Sequence, residues 1–546
     1  MEDLETYSRE WQGEGRPSGE FPPDYPGWPD RGIALLGDFS GIQNFVFRPV
    51  PGAGGAARRL RSRSFRVSAY TELIARWCLR QIPIAQPRLL YSAGGRFLIA
   101  SLPFPDCETK LCQMQTEIDT WAWRTFGGEL AFHLAAAPFA AQTIPHEELR
   151  QALQKRRAQP LRMVLCSPEG WVTSNFLHAA TASERKCDAC ATTRPVQANE
   201  EGKEICQDCM QDEELGKRLP QIAFARLSAQ AGGYLSALGL EIELRHSLEP
   251  KKGDDWLALN QTAAGAEFWP LLRHVPQESD VTLDFDQIAE FAPGSRKWLG
   301  YLRIDVDNAG KSFISLGGNP LRTWALSRLL HLFFTWEAGG LLRHKFSDIY
   351  AVYGGGDDLF VIGPWTQTLD FALELRKKFG TGGGGLSFSA GLSLAKPREH
   401  ILTQASLAAE ELVAAKNDPG YGRNCGRDQI RALGVTADWE TFAHLLQTAK
   451  QVTRWLESGD LPSRFLFRVL ELHHAWGRAG RQHADRETAL SVRYRPLLFY
   501  QICRNLKRGP ASEWAHSLLR PPSGWPWVDF IIRYAMLAAK RGREEE

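Results

Sequence analysis

No apolar run in the 546 residues reaches the roughly 20 that a membrane-spanning helix requires, which excludes a helical membrane protein. A surplus of one charge is also missing, because 65 Lys and Arg against 63 Asp and Glu leave +2. Any contact with nucleic acid must then come from local patches, since no overall basic field exists. The first thirty residues lack the basic start and apolar core of an export signal, and they are acidic and rich in Pro and Gly. They read as a flexible lead, residues 1–30. Cysteines number ten, and Cys78, Cys107, Cys112, Cys166, Cys425 and Cys503 are scattered singly, several beside apolar residues. With no export signal, that pattern indicates reduced thiols and a cytoplasmic protein.

What is present suits a soluble globular chain: 43% hydrophobic and 23% charged residues, over a length that holds roughly three to five domains. The main feature is an internal repeat. From about Tyr301 the pattern predicts strand (YLRIDVD), helix, strand (DIYAVY), tight turn (GGGDD), strand (LFVIG), helix and strand (LSFSAGLSL). This βαββαβ order is that of the ferredoxin-like unit. A weaker copy starts near Arg31 with GIALLGD, a helix, RLLYS, the turn AGGR and FLIAS, and it continues with a helix and ELAFHLAAA. The landmarks keep step, with Asp38 to Gly94 spanning 56 positions and Asp305 to Gly355 spanning 50. The predicted class is α+β, with two palm-like domains over 31–160 and 296–435. A linking domain, 161–295, lies between them. Past Gly434 no strong strand signal remains, and apolar residues at helical spacing predict a helical bundle over 436–546.

In the second copy, Gly355 and Gly356 permit a tight turn and leave room for a phosphate chain, and Asp357 and Asp358 project from its tip. Asp305 ends the first strand, which in this topology lies beside the hairpin. Three carboxylates at strand ends suit Mg²⁺ or Mn²⁺. Two such ions about 3.5–4 Å apart activate a ribose 3′-hydroxyl and stabilise leaving pyrophosphate. Asp307 is either a further ligand or a residue capping the strand. Lys416, at the end of the helix SLAAEELVAAK, either reaches a triphosphate or is a solvated surface lysine.

In the first copy the matching turn reads Gly94-Gly95-Arg96-Phe97, with Arg96 and Phe97 in place of the two aspartates. A nucleotide fits there against the glycines and the backbone amides of Ser40, Gly41 and Ile42. The other reading is a duplicate kept for packing. Arg58, Arg59, Arg61 and Arg63 lead into a helix and suit phosphate contacts with RNA, or form a solvated face. Cys187-x-x-Cys190 and Cys206-x-x-Cys209, with 15 residues between the pairs, match a zinc ribbon with one closed, structural Zn²⁺ site.

The words GDFSGIQNFVF, RSRSF, SAGGRF, RIDVDNAGKSF, YGGGDDLF, LSFSAGLSLAKP and AEELVAAK, with the paired cysteines, occur in this order over about residues 31–435. In this the sequence resembles the large, palm-containing subunit of type III CRISPR effector complexes. The resemblance implies ATP bound between two facing palms, and metal-binding and catalytic roles for Asp305, Asp357 and Asp358. A second nucleotide would lie near Ser40, Gly41 and Ile42. It also implies a hold on guide RNA, activation by target RNA, and contacts with the small subunit and the guide-tag-binding subunit. The product would be cyclic oligoadenylate, a second messenger in antiviral defence. Many members carry an HD nuclease domain ahead of the first palm. Here about 30 residues precede it and no His-Asp dipeptide occurs, so HD-type cleavage is not expected, although a shortened chain would look the same. Two other readings share these residues: a GGDEF-type diguanylate cyclase, and an RNA-binding scaffold with silent acids.

Overall fold

The computed structural model describes residues 31–540 except 49–54, 84–86, 103, 105, 141–142, 168–169, 173–184, 193–194, 200–201, 230–234, 250–254, 280, 383–385, 422, 425, 483–493 and 521–524. The lead read over 1–30 and Cys425 lie outside the described residues. Of the scattered thiols, Cys78 is buried, Cys107 and Cys166 are half-buried, and Cys112 and Cys503 are exposed. Among the described scattered thiols, Cys78 alone lies in the core.

Period-two alternation builds the first sheet. It comprises β1 (Arg31–Ser40), α1 (Ala56–Gln81), β2 (Arg88–Ala93), β3 (Arg96–Ser101), α2 (Cys107–Phe126) and β4 (Ala131–Ala140). The strand order is β2-β3-β1-β4 with every pair antiparallel. Leu35 and Phe39 of β1 pack with Tyr70 and Leu73 of α1, while Ala34 and Leu36 pack on the other face with Leu149 and Leu153.

The second sheet repeats the plan with β10 (Leu299–Val306) at its centre. Between the two lies a five-stranded sheet of β5 (Phe224–Ser228), β6 (Ser236–Ala237), β7 (Leu240–Arg245), β8 (Asp255–Leu259) and β9 (Glu267–Trp269). After β10 come α4 (Pro320–Leu332), α5 (Ala338–Lys345), β11 (Tyr350–Gly355), β12 (Asp358–Pro364), α6 (Trp365–Gly382), β13 (Phe388–Ala395) and α7 (Ile401–Asn417). A last hairpin, β14 (Gln429–Ala432) and β15 (Val435–Asp438), completes the order β11-β12-β10-β13-β14-β15. Along β10, Leu302, Ile304 and Val306 face the helices of their own half, whereas Leu299 and Tyr301 join the core shared with the first sheet. Phe360 and Ile362 of β12 join that core too.

The second sheet thus runs to Asp438, beyond the 435 read from sequence. Strands of four residues carry too little alternation to register, and a turn at Leu433 (φ 52°) and Gly434 (φ 80°) joins them. Asp438 then caps α8 (Trp439–Glu457), its carboxylate accepting from the Thr441 amide at 2.9 Å. Among the described residues, four further α-helices follow: α9 (Ser463–Gln482), α10 (Tyr494–Asn505), α11 (Pro510–Ser517) and α12 (Val528–Ala538).

The arginine run is a correction to the sequence reading. Arg59, Arg61 and Arg63 are 1%, 4% and 2% exposed, and they turn inward against α3 (Gln207–Arg218). Asp212 of α3 accepts from Ser62 Oγ, Arg63 Nε and Arg66 Nε, each at 2.8 Å. Arg59 pairs with Glu213, and Arg61 donates to the Gly216 carbonyl at 2.7 Å. The helices cross at Gly216, where a Cβ would meet the Arg58 carbonyl at 2.0 Å. Of the four, Arg58 is half-buried.

Asp212 therefore pairs with two buried cations at once. Asp212→Ala removes the carboxylate that Arg63 and Arg66 share and is expected to lower stability by about 3–5 kcal/mol, read by thermal or urea unfolding.

Candidate functional site

Register places the acidic residues. On β10, Asp305 stands opposite Asp358 of β12 and Ser389 of β13. Alternation puts Asp305 on the face of Tyr301, turned towards the first sheet. The loop of the hairpin is two residues, Gly356 and Asp357, with φ 66° at Gly356. Its tip is tied on both sides: the Val306 amide donates to the Asp357 carbonyl at 2.9 Å, and the Gly356 amide donates to His331 Nδ1 at 3.2 Å.

Burial, then the neighbouring charges of Asp357 and Asp305, raise the Asp358 carboxyl to about 8. Burial also pushes Asp305 up, against the opposing pull of Lys416. Lys416 forms an ion pair with Asp305, donates to the Val306 carbonyl at 3.3 Å and lies 4.0 Å from Asp307. The ammonium thus sits among the acids instead of on an open surface. Asp307, 4% exposed, accepts from Ser387 Oγ and Ser389 Oγ at 2.8 Å and from the Asp428 amide at 2.9 Å. Its lone pairs join β10, β13 and the approach to β14.

The first sheet carries the same hairpin. Ala93 pairs with Arg96 as Gly355 pairs with Asp358, and Asp38 stands opposite Arg96 as Asp305 stands opposite Asp358. Each hairpin has an irregularity in its first strand at the same distance from the turn, at Leu89/Tyr91 and Ala351/Tyr353. This corrects the sequence alignment by one position: Arg96 replaces Asp358, and Gly95 replaces Asp357. Asp38, 4% exposed, accepts from Arg96 Nε at 2.8 Å and Arg157 Nε at 2.9 Å, so its charge is already balanced. Ser40 Oγ lies 2.8 Å from His133 Nε2, and burial lowers that imidazole to about 4. Gly41 has φ 90°, and a Cβ there would meet the Glu129 carbonyl at 2.3 Å.

The two hairpins meet across a cavity of about 200 Å³. Ile42, Gly94 and Gly95 line it from the first half, and Tyr353, Gly355 and Asp358 from the second. A Cβ on Gly94 would lie 3.6 Å from the Gly355 carbonyl. Ser40 and Lys416 are not among the lining residues, while Ser64 and Ser68 of α1 and His331 are. Sequence reasoning missed His331 and Arg157, each on a helix with no flanking motif. It also missed Arg303, which donates to the Tyr353 hydroxyl at 2.8 Å beneath the hairpin.

Among the described residues, two groups of three or more His, Cys, Asp or Glu have ligand atoms within 4.8 Å of one another. One is Cys187, Cys190, Cys206 and Cys209, all buried. The Cys206 amide donates to Cys187 Sγ at 3.2 Å, and Cys190 Sγ and Cys206 Sγ are 3.7 Å apart. Four convergent buried thiols are a donor set fitted to one tetrahedral metal ion. The other is His473, His474 and Asp529, where Arg533 Nε already occupies Asp529 at 2.9 Å. Asp305, Asp357 and Asp358 are not gathered as tightly: Asp305 is drawn to Lys416, with which an entering divalent ion must compete.

In the folded, metal-free protein Asp358 holds its proton up to about pH 8, far above its ordinary 3.8. Between those values the folded form binds more protons than the unfolded one, so this contribution to stability falls as pH rises from about 4 towards 8 and is gone above it. The melting temperature of the metal-free protein is expected to drop from pH 6 to pH 9, and Asp358→Asn should flatten that slope.

Residues 298–426 match the family described as Cas10/Cmr2, second palm domain, and residues 33–162 match Csm1 subunit domain B. The CRISPR system single-strand-specific deoxyribonuclease Cas10/Csm1 (subtype III-A) of Thermococcus onnurineus (strain NA1) is 27% identical over 479 residues, which is 77% of this chain and 58% of that protein. The protein of the same description from Mycobacterium tuberculosis (strain ATCC 25618 / H37Rv) is 27% identical over 70% of this chain and 52% of its own length. The chain therefore spans little more than half the length of these relatives. Among solved structures, the Csm1-Csm4 cassette in complex with cA4 matches with a TM-score of 0.70 at 20% identity, covering 97% of this chain and 72% of that one. The cassette in complex with AMPPNP gives 0.69 at 20% identity, covering 94% and 70%. At such identity the likeness is one of fold.

Proposed function

We propose that this chain, which belongs to the palm-containing large subunits of type III CRISPR complexes, is a target-RNA-activated nucleotidyltransferase that converts ATP to cyclic oligoadenylate. The carrying observation is the register pair Asp305–Asp358 beside Asp357, at the edge of a cavity walled opposite by a glycine hairpin. In this reading residues 31–160 and 296–435 are two ferredoxin-like palms, with the second sheet running on to Asp438. Residues 161–295 are a linking domain stapled by one structural Zn²⁺, and 436–546 a helical domain. Complexes of related cassettes with AMPPNP and cA4 support an adenine nucleotide substrate.

Asp305, Asp357 and Asp358 would hold Mg²⁺ or Mn²⁺, which supplies charge neutralisation and a more acidic ribose hydroxyl. The 3′-oxygen of one nucleotide forms a bond to the α-phosphorus of the next, pyrophosphate leaves, and the hydroxyl proton passes to solvent. Lys416 exchanges Asp305 for the triphosphate as a point charge. Gly355 and Gly356 let the phosphate chain approach the hairpin. Gly94, Gly95 and the amides of Ser40, Gly41 and Ile42 receive the second nucleotide. Guide RNA, target RNA, the small subunit and the guide-tag-binding subunit are the proposed partners. The Asp305–Lys416 pair also favours a second reading, a silent RNA-binding scaffold, because it leaves the acids neutralised without metal.

The assembled complex with matched target RNA, ATP and Mn²⁺ should yield cyclic oligoadenylate by mass spectrometry. Asp357→Ala with Asp358→Ala should reduce it to background while assembly persists. Unchanged ATP turnover in that variant would leave the scaffold, and cyclic di-GMP from GTP would point to a diguanylate cyclase. Elemental analysis should find one zinc per chain, and its removal should lower the melting temperature.

A further inference from the structure

Two contacts from outside the hairpin hold its acidic tip. One comes from the end of β10, and the other from the ring of His331 on α4. The ring is bonded at both ends: Nδ1 lies 3.2 Å from the Gly356 amide, and Nε2 lies 3.2 Å from the Pro270 carbonyl just past β9. An amide can only donate and a carbonyl can only accept, so the two bonds together require the neutral ring with its proton on Nε2. Burial favours that neutral ring as well, lowering the imidazole to about 4.

The ring presses against the turn. A Cβ on Gly355 would sit 2.9 Å from Nδ1, and one on Gly354 would sit 2.8 Å from the Phe334 carbonyl. Directly after His331, α4 opens into a wider π-helical turn, Phe333–Glu337, and Thr335 Oγ1 donates to the His331 carbonyl at 2.6 Å. Such turns are frequent at functional sites, where they alter the path of a helix without ending it.

We infer that His331 is a positioning residue for the acidic hairpin. Its Nδ1 fixes the Gly356 amide, and through the adjoining peptide it sets the direction in which Asp357 and Asp358 point. Its Nε2 anchors that setting to the linking sheet at Pro270. This inference rests on the reading of the hairpin as the catalytic element.

Amide side chains separate the two ring nitrogens: Asn places an acceptor near the position of Nδ1, and Gln places its polar end near that of Nε2. In the assembled complex, His331→Asn is expected to keep kcat for product formation within about threefold of wild type. His331→Gln and His331→Ala should lose about tenfold or more in kcat, the scale of one lost hydrogen bond at a site requiring close alignment. KM for ATP should stay nearly unchanged in all three. Hydrogen exchange of the peptide containing Gly356, measured without substrate, should quicken in the Gln and Ala variants and stay slow in the Asn variant. Equal loss in all three variants would assign His331 to packing and overturn the inference, as would wild-type kcat and exchange in His331→Gln. A wild-type complex that makes no oligoadenylate would overturn the proposed function instead, and the exchange pattern alone would then decide the role of His331.

Discussion

The antiparallel pairing of β10 with β12 is the constraint on which the site depends. It sets Asp305 opposite Asp358 and turns both towards the shared core. Side chains alternate with a period of two, so a slip of one residue would move Asp305 among the helices that pack on Ile304. The two-residue loop leaves the hairpin little freedom to slip. The acids are thereby held in a costly arrangement, with Asp358 half-buried beside two other carboxylates. The ammonium of Lys416 beside Asp305, and the raised pKa of Asp358, reduce that cost.

The first half uses the same backbone for a different electrostatic end. Replacing an aspartate by Arg96 at one register position converts a site of like charges into a closed ion pair with Asp38, joined by Arg157. The glycine loop is retained, and even a Cβ added at Gly94 would lie 3.6 Å from the Gly355 carbonyl of the opposing hairpin. One half contributes charge, and the other contributes shape.

The sequence revealed the parts of this arrangement that repeat. Alternating apolar runs, the paired Gly-rich turns and the two Cys-x-x-Cys words made both sheets and the cysteine cluster legible, because each depends on local order in the chain. The register between strands is a non-local quantity, so the alignment of the two hairpins was off by one until the partners of Asp38 and Asp305 were seen. Arg59, Arg61 and Arg63 misled for the same reason: a run of cations looks alike whether it meets solvent or a buried carboxylate about 150 residues away, as Arg63 meets Asp212. His331 gave no signal, since its role depends on one ring nitrogen meeting an amide 25 residues downstream.

Helix α1 has a consequence that extends beyond packing. Its Ser64 and Ser68 border the cavity, while Arg63, between neighbouring turns, donates to Asp212 and reaches Cys209 Sγ at 3.5 Å. A single helix thus touches the cavity between the hairpins on one side and the four-cysteine cluster on the other. A shift in the course of that helix therefore reaches both places, because they share one stretch of backbone.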